Sequence, residues 1–142
     1  MRRKSLPNSL LIGVAIALIF SGCQKFPSAS TGKPSVDILY LNHGPVLAVL
    51  QQVDPVLAAY GDQIQVNRYD FDTQEGAAFA KKMGINQHMP LAIYINGSDT
   101  FDLNGRKITF ESFPQGAGTA IMAAGSWTFA DLDAALKQAT GQ

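Results

Sequence analysis

The sequence predicts an α/β domain: a central mixed sheet flanked by helices, with an extended hairpin and loop segment before the last helix. Three observations predict it. Apolar, β-branched runs too short for helices recur near residues 36–41, 64–71 and 91–95. Segments with a helical apolar period separate them, at residues 46–60 and 73–83. Two Asn-Gly pairs, Asn96-Gly97 and Asn104-Gly105, then give the strongest short-range hairpin signal.

Each element follows from local chemistry. Residues 36–41 (VDILYL) read as a buried strand, closed by the break Asn42-His43-Gly44-Pro45. Pro45 falls near a first helical turn, where a missing N–H costs nothing. Val46, Leu47, Val49, Leu50, Val53, Val56, Leu57 and Tyr60 then follow a near-3.6 period in a helix that Gly61 stops. Pro55 should kink or divide it, because proline removes a hydrogen bond and its ring meets the preceding turn. Ile64, Val66, Tyr69 and Phe71 alternate as a second strand, and residues 73–83 form a short helix ending at Gly84. The third strand, residues 91–95, leads through Asn96-Gly97 into an antiparallel meander of residues 100–103 and 106–110. A Gly/Ala-rich loop, residues 116–125, precedes a helix opened by Thr128, where Asp131 complements the positive helix end.

The two ends of the chain differ in kind. Met1-Arg2-Arg3-Lys4 and an apolar run of about eleven residues from Leu10 match a secretory signal and fall short of the ~20 residues that span a bilayer. The run ends in Phe20-Ser21-Gly22-Cys23, which resembles the bacterial lipobox, with Phe20 where Leu is usual. Residues 1–22 are therefore expected to be a lipoprotein signal peptide. Cys23 is the expected lipidation site, and residues 23–35, rich in Ser, Pro, Gly and Thr, a flexible tether. Several acyl chains anchor stably where one is marginal. The folded domain is expected over residues 36–142, on an extracytoplasmic membrane face of a bacterium, periplasmic or at the cell surface. Gln24, in place of an Asp, permits outer-membrane sorting.

Composition excludes several functions. Three of the eleven basic residues lie in the signal and all eleven acidic ones beyond it, so the mature chain carries about −3 and no basic block for nucleic acid. Cys23 is the only cysteine. Once it is acylated, the domain has no disulfide, thiol nucleophile or thiolate ligand.

The succession of strands and helices resembles that of thioredoxins, and particular residues carry the likeness. His43-Gly44-Pro45-Val46 is similar to the family's Cys-Gly-Pro-Cys with both cysteines replaced, and Gly84-Ile85 and Met89-Pro90 before LAIYINGS resemble its Gly-Ile and its cis-proline strand start. Asn42 stands where the family has Trp. The resemblance implies a thioredoxin-like fold, a cis Pro90 and a groove formed by His43, Gly44, Pro45, Met89 and Pro90 that takes extended peptides. It implies no redox activity here, since disulfide exchange needs an attacking thiolate and a resolving thiol.

The leading expectation is thus a redox-inactive, membrane-tethered protein-binding or assembly module, not an enzyme, with no cofactor and an unidentified protein partner. An alternative is a copper-binding or copper-delivery lipoprotein, because His43, His88 and Met89 form a donor set suited to copper. A general-base enzyme built on His43 lacks a second catalytic group. Asp37 reads as a solvated residue at a strand start, and Asp70/Asp72 and Asp131/Asp133 as solvated surface. Phe113, Ile121, Met122 and Trp127 read as packing residues, with an exposed binding patch as the other option.

Overall fold

A computed structural model of the chain describes residues 32–117 and 124–142. The signal, Cys23 and most of the tether, together with Ile121 and Met122, lie outside the described residues. Among those described, no helix is long and apolar enough to cross a membrane.

The elements run β1 (Ser35–Tyr40), α1 (Gly44–Ala58), β2 (Gln65–Asp70), α2 (Gln74–Lys82), β3 (Leu91–Ile95), β4 (Thr100–Leu103), β5 (Arg106–Thr109) and α3 (Phe129–Thr140). The fold is mixed α/β. β1 lies between β2, parallel to it, and β3, antiparallel to it. β1 starts at Ser35, which pairs with Gln65 and whose N–H donates to the Asn96 side chain.

The strands alternate between two covered faces. Val36, Ile38, Leu91, Ile93 and Ile95 join the buried residues of α1 and α3 in one cluster. Leu39, Ala92 and Tyr94 point the other way, into a smaller cluster with Phe79 and Ala80 of α2. Burial on both faces explains why β3 is apolar throughout rather than alternating. Trp127 and Phe113 are fully buried, so they are core and not a binding patch. The Trp127 indole N–H reaches the main-chain carbonyls of Glu111 and Ser112.

Three expectations need correction, and one of the two alternatives at Pro55 is set aside. Pro55 sits inside α1 without dividing it. A proline inside a helix costs about 3 kcal/mol, which burial of Val53 and Leu57 at about 1.5–3 kcal/mol each offsets. Val66 is exposed rather than inward, because β2 is an outer strand of the sheet and the apolar alternation there shifts phase before Tyr69. The meander does not form as expected: β4 and β5 make a separate two-stranded sheet. The partner of β3 is instead the stretch 110–112, held by Ile93 N–H to the Phe110 carbonyl (2.9 Å) and Ser112 N–H to the Leu91 carbonyl (2.8 Å). Finally, no peptide bond among the described residues is cis, so Met89–Pro90 is trans. The trans form is intrinsically favoured by about 0.5–1 kcal/mol. In it, the Pro90 carbonyl extends the β1–β3 pairing by accepting the Leu41 N–H at 3.0 Å.

Both Asn-Gly turns form as expected. Asn96 and Gly97 have φ of 52° and 79°, and Asn104 and Gly105 of 54° and 75°, the left-handed pair that a two-residue hairpin turn demands.

Candidate functional site

Parallel pairing brings the C-terminal ends of β1 and β2 to one edge, with Tyr40 opposite Asp70. In open α/β sheets this is the edge where ligands bind. Three loops meet there. The Leu41–Pro90 hydrogen bond joins the loop before α1 to the loop before β3. The Asn42 side chain donates to the Asp70 carboxylate at 3.2 Å, joining the first loop to the end of β2.

His43 ends the first loop and begins α1. Its N–H donates to the Leu41 carbonyl (2.8 Å) and its carbonyl accepts from Leu47 (3.0 Å). The exposed side chain makes no capping hydrogen bond. Gly44 and Pro45 are also exposed, and a Cβ placed on Gly44 would meet nothing within 4 Å. The corner is therefore an open surface bounded by the Met89-Pro90 segment. The main-chain N–H and C=O of Met89 make no hydrogen bond among the described residues.

The three residues of the copper alternative have separate engagements. Met89 is half-buried and packs on the cluster of Leu39, Phe79, Ala92 and Tyr94. His88 lies against the Phe71 ring, centroids 4.5 Å apart, with Nε2 3.7 Å from the Asp72 carboxylate. His43 stands exposed at the start of α1. Among the described residues, no group of three or more His, Cys, Asp or Glu is placed to hold a metal ion.

The carboxylates read as solvated mostly carry structural hydrogen bonds. Asp70 accepts from Asn42 and from the Asp72 N–H, an Asx turn that sets up the Thr73 cap of α2. Asp37 is half-buried and accepts from Asn67 at 2.7 Å. Asp131 is 95 % buried: its carboxylate accepts from the Thr128 N–H and hydroxyl and from Arg106 at 2.6 Å. Burial alone would raise its pKa, but the Thr128 hydrogen bonds and the Arg106 guanidinium outweigh that and hold it below the ordinary 3.8. The Thr-x-x-Asp spacing was the available signal, a capping box closed by Asp. The roles of Asn42 and Asp70 at the corner carried no sequence signal, because they depend on the parallel register of β1 and β2.

No family model matches the chain, and no curated protein or solved structure matches it.

Proposed function

We propose that the chain is a redox-inactive, thioredoxin-like lipoprotein, tethered through Cys23 to an extracytoplasmic membrane face, that binds a protein partner at the His43-Gly44-Pro45 corner. The fold reading is supported by the strand order β2-β1-β3 followed by residues 110–112, and by α1 and α3 packing opposite α2. The absence of any cysteine beyond residue 23 supports binding over disulfide chemistry.

The single observation that carries the reading is the Leu41–Pro90 hydrogen bond, which holds an exposed turn beside the unpaired main chain of Met89. An extended segment entering there gains affinity from backbone pairing and selectivity from the side chains of His43 and its neighbours. Pro90 contributes position only, since its carbonyl already serves Leu41. The test is co-purification from membranes with the full chain. The Gly44→Trp variant, whose side chain enters open space, remains folded and loses the partner. A folded variant that keeps every partner overturns the assignment.

A further inference from the structure

A second concavity, of about 530 Å³, lies beyond the C-terminal end of α2, between the loop carrying Met83, Ile85 and Met89 and the side of the sheet carrying Tyr94, Asp99 and Glu111. Its size is within the range of small-ligand sites. Its chemistry is divided. Met83, Ile85, Met89 and the Tyr94 ring give an apolar floor; Asp99 and Glu111 give two carboxylates.

Neither carboxylate is ion-paired among the described residues, and no Lys, Arg or His lines the pocket. Among the described residues, Asp99 receives only the neighbouring Thr100 hydroxyl, and the Glu111 side chain receives no hydrogen bond. Tyr94 adds an independent polar group to the lining. Only 4 % of it is exposed, its ring meets Phe79 edge-on at 5.8 Å, and its hydroxyl has no hydrogen-bond partner among the described residues. No fully enclosed side-chain oxygen among the described residues lacks a partner, so this hydroxyl has access to solvent, and Tyr94 lines the pocket. The local field agrees with the geometry. Burial, then Asp99, raises the Glu111 carboxyl above its ordinary range, and burial, then Asp99 and Glu111, pushes Tyr94 up to about 12.

We propose that this pocket binds an organic cation with an aliphatic stem, an alkylammonium or alkylguanidinium group, held between Asp99 and Glu111 with its stem over Met83, Ile85, Met89 and the Tyr94 ring. The charge pairs with two carboxylates that lack a cation, the Tyr94 hydroxyl accepts from the head group, and the stem covers apolar surface. A bare metal ion fits less well, because two carboxylates and a phenol leave much of a coordination shell unfilled. The site shares Met89 with the His43 corner but stands independently of the function proposed there.

The test titrates the full chain, in detergent, with three probes: cadaverine, a capped arginine residue (Nα-acetyl-arginine N-methylamide) and a neutral control, capped norleucine. Methyl resonances of isotopically labelled methionines report the site. A cationic probe shifts Met83 and Met89 saturably while norleucine does not. Glu111→Gln weakens binding at least about tenfold, as expected for a lost charge-assisted contact. Asp99→Asn serves as a second variant, with amide spectra checking the fold of both. Binding of cadaverine alone assigns the site to free amines; binding of the capped residue assigns it to a basic side chain of a protein. No saturable shift with either cation, equal binding of norleucine, or undiminished affinity in both folded variants overturns the proposal.

Discussion

The Tyr60 hydroxyl donates a 2.7 Å hydrogen bond to the Asp133 carboxylate and lies 2.9 Å from the Asp133 main-chain carbonyl, fixing the end of α1 to α3. Tyr60 is buried, and burial, followed by the hydrogen bond and negative charge of Asp133, pushes its pKa up to about 12. A raised phenol stabilises the fold fully below its unfolded value near 10, and that contribution is lost as pH rises through about 12. Tyr60→Phe is expected to cost about 1–2 kcal/mol at pH 8. Urea unfolding at pH 8 and pH 11.5 checks this: the gap between wild type and variant narrows at the higher pH.

Asp131 gives the opposite pH dependence. Its carboxyl is held below 3.8 in the fold, so its stabilisation is present above that value and is lost as pH falls through the lower folded value. Asp131→Asn is expected to cost about 1–3 kcal/mol at pH 7, since it weakens the cap and the contact to Arg106. The difference shrinks in unfolding curves taken below about pH 4. A deficit that stays constant from pH 7 to pH 3 contradicts the assigned role.

Two glycines at helix starts separate a packing constraint from an open surface. A Cβ on Gly76 would sit 1.8 Å from the Asp70 carbonyl oxygen, whereas one on Gly44 would touch nothing within 4 Å. Gly76→Ala is expected to destabilise by about 1–3 kcal/mol, the range for overpacking a close contact. Gly44→Ala stays within about 0.5 kcal/mol of wild type. Denaturant midpoints measured side by side decide the comparison.

Much of this fold was legible where local chemistry acts alone. The Asn-Gly turns, the Thr128 cap and the apolar run of β3 needed only neighbouring residues. What escaped the sequence depends on distant partners. β3 pairs with residues 110–112 because β4 and β5 turn aside as their own hairpin, and no local pattern encodes that choice. The Thr-x-x-Asp spacing marks Asp131 as part of a cap, but its burial against Arg106 depends on a residue far away in the chain. At the corner, His43, Gly44 and Pro45 were singled out by the resemblance of His43-Gly44-Pro45-Val46 to a thioredoxin motif, whereas the trans Pro90 departs from that resemblance and the Asn42–Asp70 contact depends on the sheet register. The pocket at Tyr94, Asp99 and Glu111 left no linear signature, because its walls come from segments far apart in the chain.

The membrane tether is a proposal that labelling tests. Cys23→Ser is expected to abolish incorporation of radiolabelled fatty acid and to leave either an unprocessed precursor or a released domain. Labelling and processing equal to wild type would show that Cys23 is not the anchor.

The central proposal, partner binding at the His43 corner, is tested most directly by placing a photo-crosslinking amino acid at position 43 of the full chain in cells. The same group at Gln138, an exposed position on α3, serves as the control. The account predicts a discrete protein adduct from position 43 that is absent from position 138 and disappears when Gly44→Trp is added. Identical adducts from both positions, or an adduct at 43 that survives Gly44→Trp, would contradict it.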